Sequence, residues 1–420
     1  MRLVHFVIGA SPGFSGGTNR FLLLLILALV SVSGNAQIDP EQRRLIQLGY
    51  NQPLEGKAPI AAYGFYYYNR PGFFQTNLTL RLALAPIYVD AELGISQLIG
   101  PHTDVAIGIS GGGFADSYSE IRGGGFRQEE SFTGHGGDLS ASVYHRFNPN
   151  YMIPLWAIFR VSGDVAFYER DRKTDPAFEV PEDIQALNFR TGLRLGGREP
   201  SLTAPLAMEV SAWYEGVFRT EGNRYGFGED REVEAQTHRF WTRALLKYTF
   251  DPSEQYVDFS ITAGTSLEAD RFSAYRLGGF LPFSSEFPLS IPGYYFQELS
   301  AKRFFLVNGQ YAFPLEPEKN WSVSIFGATG MVDYTDGLEQ PGDWHSGVGG
   351  GITYASPSRS WFVSVVYGYG IDAIRHEKRG ANQVGLLFQY DFDAKKRDPL
   401  RPFRPEVNPY RSRGGERIFR

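Results

Sequence analysis

The chain has 420 residues, a net charge of −5, 21% charged residues and no cysteine. Disulfides and thiolate metal sites are therefore excluded, and the charge balance gives no nucleic-acid footprint. Aromatics reach 15%, with 33 Phe and 24 Tyr beside 48 Gly, yet the mean hydropathy is only −0.26. That combination fits a membrane barrel, in which alternate residues face lipid and the rest stay polar.

The first element is a signal sequence. Phe21 to Val32 is an apolar run (FLLLLILALVSV) preceded by Arg20, Arg2 and His5 and followed by Ser33-Gly34-Asn35-Ala36. It predicts export and cleavage after Ala36. The run is about 12 residues, short of the ~20 that cross a bilayer as a helix. The long basic region ahead of it allows a start downstream of Met1. Residues 37–59 then read as a short periplasmic leader, with Glu41–Leu48 forming either one or two helical turns or no regular structure.

From Ile60 to Phe392 the pattern is alternation with period two. Leu78, Leu80, Leu82 and Leu84 point one way and Asn77, Thr79, Arg81 and Ala83 the other. Val105, Ile107 and Ile109 oppose Asp104, Ala106, Gly108 and Ser110, and Val257, Phe259 and Ile261 oppose Asp258, Ser260 and Thr262. Leu187, Phe189, Leu193 and Leu195 do the same against Asn188, Arg190, Gly192 and Arg194, while Val363, Val365 and Tyr367 oppose Ser364 and Gly368, with Val366 an exception. Tyr63, Phe65, Tyr66, Tyr67, Tyr68, Phe73 and Phe74 suit an interfacial belt. Short connections (148–153, 198–205, 251–255, 314–320, 356–360) interleave with long ones (116–135, 170–183, 219–235, 268–298, 334–345), as periplasmic turns and extracellular loops do. The expected fold is all-β, a transmembrane antiparallel β-barrel of about 14–16 strands. The count is about 14 when Thr76–Ser96 is read as one long strand. Splitting it at Pro86 gives 15, an odd number that leaves one chain end on the wrong side unless a further strand raises the total to 16.

The last strand ends Gln383-Val-Gly385-Leu-Leu-Phe388-Gln-Tyr390-Asp-Phe392. It resembles the sorting signal that outer-membrane barrels present to the barrel-assembly machinery, with Gln383, Gly385, Phe388, Tyr390 and Phe392 as its positions. Residues 393–420 carry nine Lys/Arg against four Asp/Glu, with four prolines. They read as a disordered basic periplasmic tail suited to a polyanionic partner, or as a solvated tail without one.

From Leu277 the chain resembles the bacterial surface antigen family, the BamA/TamA-like barrels. The segments that carry this are LGGFLPF (Leu277, Gly278, Gly279 to Phe283), then IPGYYFQELSAKRFFLVNGQYAFPL from Ile291, and GVGGGITYASPSRSWFVSVVYGYG from Gly347. The resemblance implies a long sixth loop entering the barrel, with Ile291-Pro292-Gly293-Tyr294 at its tip motif and five strands after it. Two departures stand out. The family's loop arginine is Pro292 here, and its acidic partner on the wall is Ala328, in Phe326-Gly-Ala328-Thr-Gly330. Joint loss of such a pair avoids leaving one charge buried alone. It implies that the loop is held by Pro292 and by aromatic packing of Phe280, Phe283, Tyr294 and Tyr295. The second departure is length: about 23 residues between signal and first strand leave no room for the family's periplasmic POTRA modules.

Enzymatic chemistry finds no pattern. The seven His are scattered without ligand spacing. Gly111–Gly113 lacks a following Lys-Ser/Thr and helix. Ser140 and Ser142 share a face that His145 does not. Arg81, Arg190, Arg194, Glu209 and Asp258 are expected inside, as a cross-barrel charge network. The sequence thus predicts a bacterial outer-membrane protein with no enzymatic activity and no cofactor, surrounded by outer-membrane lipids. Its expected role is accessory to protein or lipid assembly or transport there, or structural. The alternatives are a small-solute diffusion channel and a surface receptor or adhesin.

Overall fold

A computed structural model describes residues 42–149, 153–196, 206–250, 253–281 and 287–394. The signal sequence expected over 1–36, Phe283 and the tail beyond Ala394 lie outside the described residues. Sixteen strands form the wall: β1 (Arg43–Pro53), β2 (Ala61–Pro71), β3 (Leu78–Ala85), β4 (Tyr88–Ile95), β5 (Thr103–Gly112), β6 (Gly125–Arg146), β7 (Leu155–Arg170) and β8 (Ile184–Gly196). They continue as β9 (Leu206–Arg219), β10 (Gln236–Phe250), β11 (Gln255–Leu267), β12 (Leu299–Pro314), β13 (Trp321–Tyr334), β14 (Trp344–Ala355), β15 (Trp361–Arg375) and β16 (Lys378–Asp391). Every neighbour is antiparallel, and β1 pairs with β16 from Leu45↔Asp391 to Pro53↔Gln383, which closes the sheet. Closure removes the edges that an open sheet would expose to lipid. No α-helix occurs among the described residues.

Two expectations are corrected. Residues 43–53 belong to the barrel and not to a periplasmic leader, and they form a strand where helical turns were an option. Ile46, Leu48 and Tyr50 alternate with Gln47, Gly49 and Asn51, so β1 has one lipid face and one lumen face. Thr76–Ser96 is two strands joined at Pro86-Ile87. Proline cannot donate to a ladder, so the strand breaks there and turns back. One added strand and one split bring about 14 to sixteen. The seam consequently lies between β1 and β16, and not between Ile60–Tyr68 and β16.

The alternation places side chains as expected. Ile107 and Ile109 face outward, about half exposed, while Asp104, Ala106 and Ser110 are buried inside. Part of the expected aromatic belt turns inward, however. Tyr63 lies over Gly49 of β1, Phe65 stacks on Tyr63, and Tyr67 is buried. Only the alternate rings of β2 can reach lipid; Tyr66 meets Phe392 outside. Further rings gather outside at the turn end, with Tyr354 against both Trp321 and Trp361.

At the opposite end, the loops after β5, β7, β9 and β11 pack together. Tyr118, Phe132, Phe178, Tyr225 and Val233 form their core, with Phe272 against it. Three short strands (Phe178–Glu179, Asn223–Phe227, Arg231–Val233) form a small sheet above it. The Arg231 guanidinium is buried beside Glu120 and Glu130 and over the Phe178 ring. Burial alone pulls its pKa down; the two carboxylates outweigh that and hold it above the ordinary arginine value.

Candidate functional site: the loop inside the barrel

The connection between β11 and β12 enters the lumen. Its root pairs with the wall, Tyr275–Leu277 extending the β12 ladder through Leu277↔Leu299. Arg219 binds Asp270 at 2.6 Å and Arg271 reaches Glu120 at 3.3 Å, tying the root to the packed outer loops. Beyond Leu277 the chain runs to the seam. Asn51 of β1 donates to the Phe280 carbonyl at 2.6 Å, and Gln383 of β16 donates to the same oxygen at 3.5 Å. The Phe280 ring lies 6.1 Å from that of Phe326.

The loop then reaches a wall eight strands from β1, the far side of a sixteen-strand ring. Phe287 packs on Trp241 and Trp213, ring centroids 4.4 and 5.7 Å away, and these two indoles stack at 5.5 Å. Arg190, Arg194 and Arg243 each place a guanidinium 5.3–5.7 Å from the Phe287 ring. Such contacts are worth roughly 0.5–1 kcal/mol each at exposed sites and more when desolvated.

The return limb presses against glycines. The expected tip motif, Ile291-Pro292-Gly293-Tyr294, is fully buried. A side chain on Gly347 would come within 2.2 Å of the Pro292 carbonyl oxygen, and one on Gly368 within 3.0 Å of the Pro292 ring. Gly293 has φ +83°, and a Cβ there would sit 1.8 Å from the Gly370 nitrogen, so no other residue fits. Its N–H donates to Gln383 Oε1 at 2.9 Å. Tyr294 bonds Nδ1 of the buried His345 at 2.9 Å, and Tyr334 bonds the Nε2 of that ring while donating to the Gly342 carbonyl. Tyr334 thus accepts from Nε2–H, which makes Nδ1 the acceptor for Tyr294.

A charged pair secures the end of the loop. Glu298 and Arg375 form a two-pronged bond of 2.8 and 2.7 Å, with side-chain exposures of 0% and 2%. The guanidinium also lies 3.5 Å from the centre of the Tyr295 ring, and Tyr295 donates to the Glu55 carbonyl just past β1. Pro292 and Ala328 stand at the positions where the resemblance implies a charged pair. The new pair has its acid on the loop and its arginine on the wall. Ala328 shares an apolar cluster with Ile291, Tyr294 and Leu299, while Pro292 sits one strand further, over Gly347.

The other expected residues are placed as follows. In β16, Gln383 is buried inside, Gly385 approaches the Phe280 ring, and the rings of Tyr390 and Phe392 meet outside, 4.9 Å apart. Phe388 lies on the outer face with Tyr390 by alternation. The strand ladder extends to Phe392, whose N–H donates to the Arg44 carbonyl. Arg81 pairs with Glu92 and Asp90, Arg190 with Glu215, and Arg194 with Glu209 at 2.9 Å. Asp258 lies opposite Lys247, whose ammonium sits over the Tyr256 ring. Among the described residues, these contacts run along the wall between adjacent strands. Neighbouring strands are about 4.8 Å apart, whereas the loop occupies the space between opposite walls. Ser140 and Ser142 are buried inside, and Arg160 donates to Ser140 at 2.8 Å. His145 lies on the outer face, against Phe147 and bonded to Thr103.

Sequence reasoning missed Glu298–Arg375, Asn51 and the Phe287 box. Asn51 follows from the missed strand. Arg375 is hidden by a register shift between Gly370 and Ile374, which moves the inward positions of β15 from even to odd residues.

A closed sixteen-strand barrel with a loop folded through its lumen defines a barrel of the outer-membrane type. No family model matches the sequence, and no curated protein matches it. Among solved structures, CdiB from Escherichia coli aligns with a TM-score of 0.51 and 13% identity, over 84% of this chain and 63% of that one. CdiB from Acinetobacter baumannii aligns at 0.49 and 12%, over 83% and 60%. BamA from Haemophilus ducreyi lacking POTRA domains 1–3 aligns at 0.48 and 10%, over 83% and 71%. At such identities the likeness is one of fold, and the chain spans about 60% of the length of the CdiB structures.

Proposed function

We propose that this chain is a bacterial outer-membrane barrel that assists the assembly or transport of proteins or lipids at that membrane, without enzymatic chemistry of its own. The observation that carries the reading is the loop between the eleventh and twelfth strands. It is held inside the barrel from wall to wall, with five strands following it. Contacts that cross the lumen in this way narrow any water path through it. In this reading the short turns are periplasmic and the long loops extracellular. Outer-membrane lipids cover the belt, and the barrel-assembly machinery handles Gln383–Phe392 during biogenesis. The basic tail beyond Ala394 meets a polyanion in the periplasm.

The test is planar-bilayer conductance of the refolded chain, beside a variant lacking residues 284–296. A silent or flickering intact barrel that opens on deletion supports the proposal. A steady open conductance in the intact chain overturns it in favour of a small-solute channel.

A further inference from the structure

We propose that the short turns at 72–77 and 96–102, which flank the β3–β4 hairpin, are a lipid-contacting surface: they lie among acyl chains and complete the apolar belt where the strands are too short to span it. β3 and β4 have eight residues each. That is about 27 Å along the strand and, at a tilt of about 40°, about 20 Å across the membrane, against an apolar band about 25 Å tall. A crossing strand needs about 9–11 residues. The hairpin therefore falls short of the band unless its ends belong to it, and its ends are apolar. Phe74 is 89% exposed and Ile99 66%; Leu98 is about half exposed, and the Phe73 ring lies 4.4 Å from that of Phe74. At the opposite end Ile87 is about half exposed, and its carbonyl accepts the N–H of Gly113, next to the exposed Phe114.

The two turns form one patch of fixed shape. Leu78 pairs with Ile95, and Ser96 N–H donates to the Asn77 carbonyl at 2.8 Å. Phe73 N–H donates to the Leu78 carbonyl at 3.0 Å, and Gln97 N–H to Asp104 Oδ1 at 3.1 Å. Phe74 has φ +60°, where a turn ordinarily takes glycine or asparagine. Turn geometry thus gives no reason for a phenylalanine, and its surroundings must. Charge separates lipid from water as the occupant. Of the seven turns at this end of the wall, the three neighbouring ones at 72–77, 96–102 and 147–154 contain no Lys, Arg, Asp or Glu. The other four each carry charge, among them Arg198, Glu254, Glu316 and Arg359. Hydrocarbon excludes charge, whereas water and a polar interface do not. The patch also continues the belt already carried by Ile107 and Ile109 of β5. The inference rests on the reading of the wall as a membrane barrel and holds equally for a transport accessory and a channel.

The experiment uses single nitroxide labels, which the absence of cysteine makes clean. Phe74→Cys, Ile99→Cys, Ile107→Cys and Ser358→Cys are labelled in the full chain, refolded into dioleoylphosphatidylcholine vesicles. Each label's relaxation by oxygen, which partitions into lipid, is compared with its relaxation by a water-soluble nickel chelate. Labels at 74 and 99 are expected to follow oxygen, like the belt label at 107, while the label at 358 follows nickel. If 74 and 99 follow nickel and 107 follows oxygen, the turns stand in water, where a protein partner could meet them, and the proposal is overturned. If 107 follows nickel as well, the membrane reading of the wall fails with it. A second measurement is independent of the labels. Phe74→Ser/Ile99→Ser should refold like the parent into thin dilauroylphosphatidylcholine vesicles and roughly threefold or more slowly into thicker dioleoyl ones. Equal rates for variant and parent in both lipids, or the same slowing in both, overturns the proposal, because the turns then do not make up the height that the strands lack.

Discussion

The Glu298–Arg375 pair shows what a single contact does here. Both side chains are essentially out of water, and each carboxylate oxygen has its own N–H. Removing one partner strands the other, so Glu298→Gln or Arg375→Met should cost about 3–5 kcal/mol. Replacing both, as Glu298→Leu/Arg375→Met, should recover much of that loss, as denaturant midpoints of the refolded barrel would register. A damaged double variant no better than the singles would mean that the pair also fixes the loop's path. Gly347 is a second point of leverage. Its missing side chain is the space that the Pro292 carbonyl occupies. Gly347→Ala should therefore destabilise by roughly 1–3 kcal/mol through overpacking, lowering the thermal midpoint; an unchanged midpoint would show that the loop can shift away freely.

At the scale of strands, much of the wall was legible and its two errors are instructive. Period-two alternation located β5, β8, β11 and β15 because one face meets lipid and tolerates little polarity. It was equally present in β1, but Glu41–Leu48 taken alone also fits a helical turn; only pairing with β2 and β16 decides. The bulge in β15 shows the limit from the other side. Alternation read forward from Trp361 predicts the wrong face for Arg375, because between Gly370 and Ile374 four steps along β15 oppose two along β16, and beyond this irregularity Ala373 and Arg375 are the buried positions. The loop's entry into the lumen was readable from the family resemblance, whereas its anchors at Asn51 and Phe287 join residues hundreds of positions apart and leave no local trace. The end of β16 carries a prediction of its own. Arg44 holds Asp393 through two bonds of 3.0 and 2.8 Å, just past the final strand. A chain ending at Ala394 should assemble and resist denaturant like the parent, whereas one ending at Phe392 should unfold at a lower midpoint. Equal midpoints would make that clamp dispensable.

For the whole molecule, the loop joins three things that a barrel could keep separate: the packed outer loops, the far wall and the seam. Arg271 and Asp270 tie its root to the first, Phe287 to the second, Phe280 and Gly293 to the third. Most of these contacts are buried, where screening by salt is weak. The gating expected in the bilayer experiment should accordingly change little with ionic strength, and a strong salt dependence would point instead to exposed charges at the rim.

The closing contact also dictates how such a chain reaches its native state. Every other wall junction is made between strands consecutive in the barrel, and most are simple hairpins that zip locally. Gln47 and Gln389, bonded across β1 and β16, are 342 residues apart. Junctions of such separation form last and slowly, because a long stretch of chain must be confined before any bond rewards it. The Phe280 carbonyl presents one docking point to both free edges. A lumen segment placed early would offer both edges a common template on which the ring is finished.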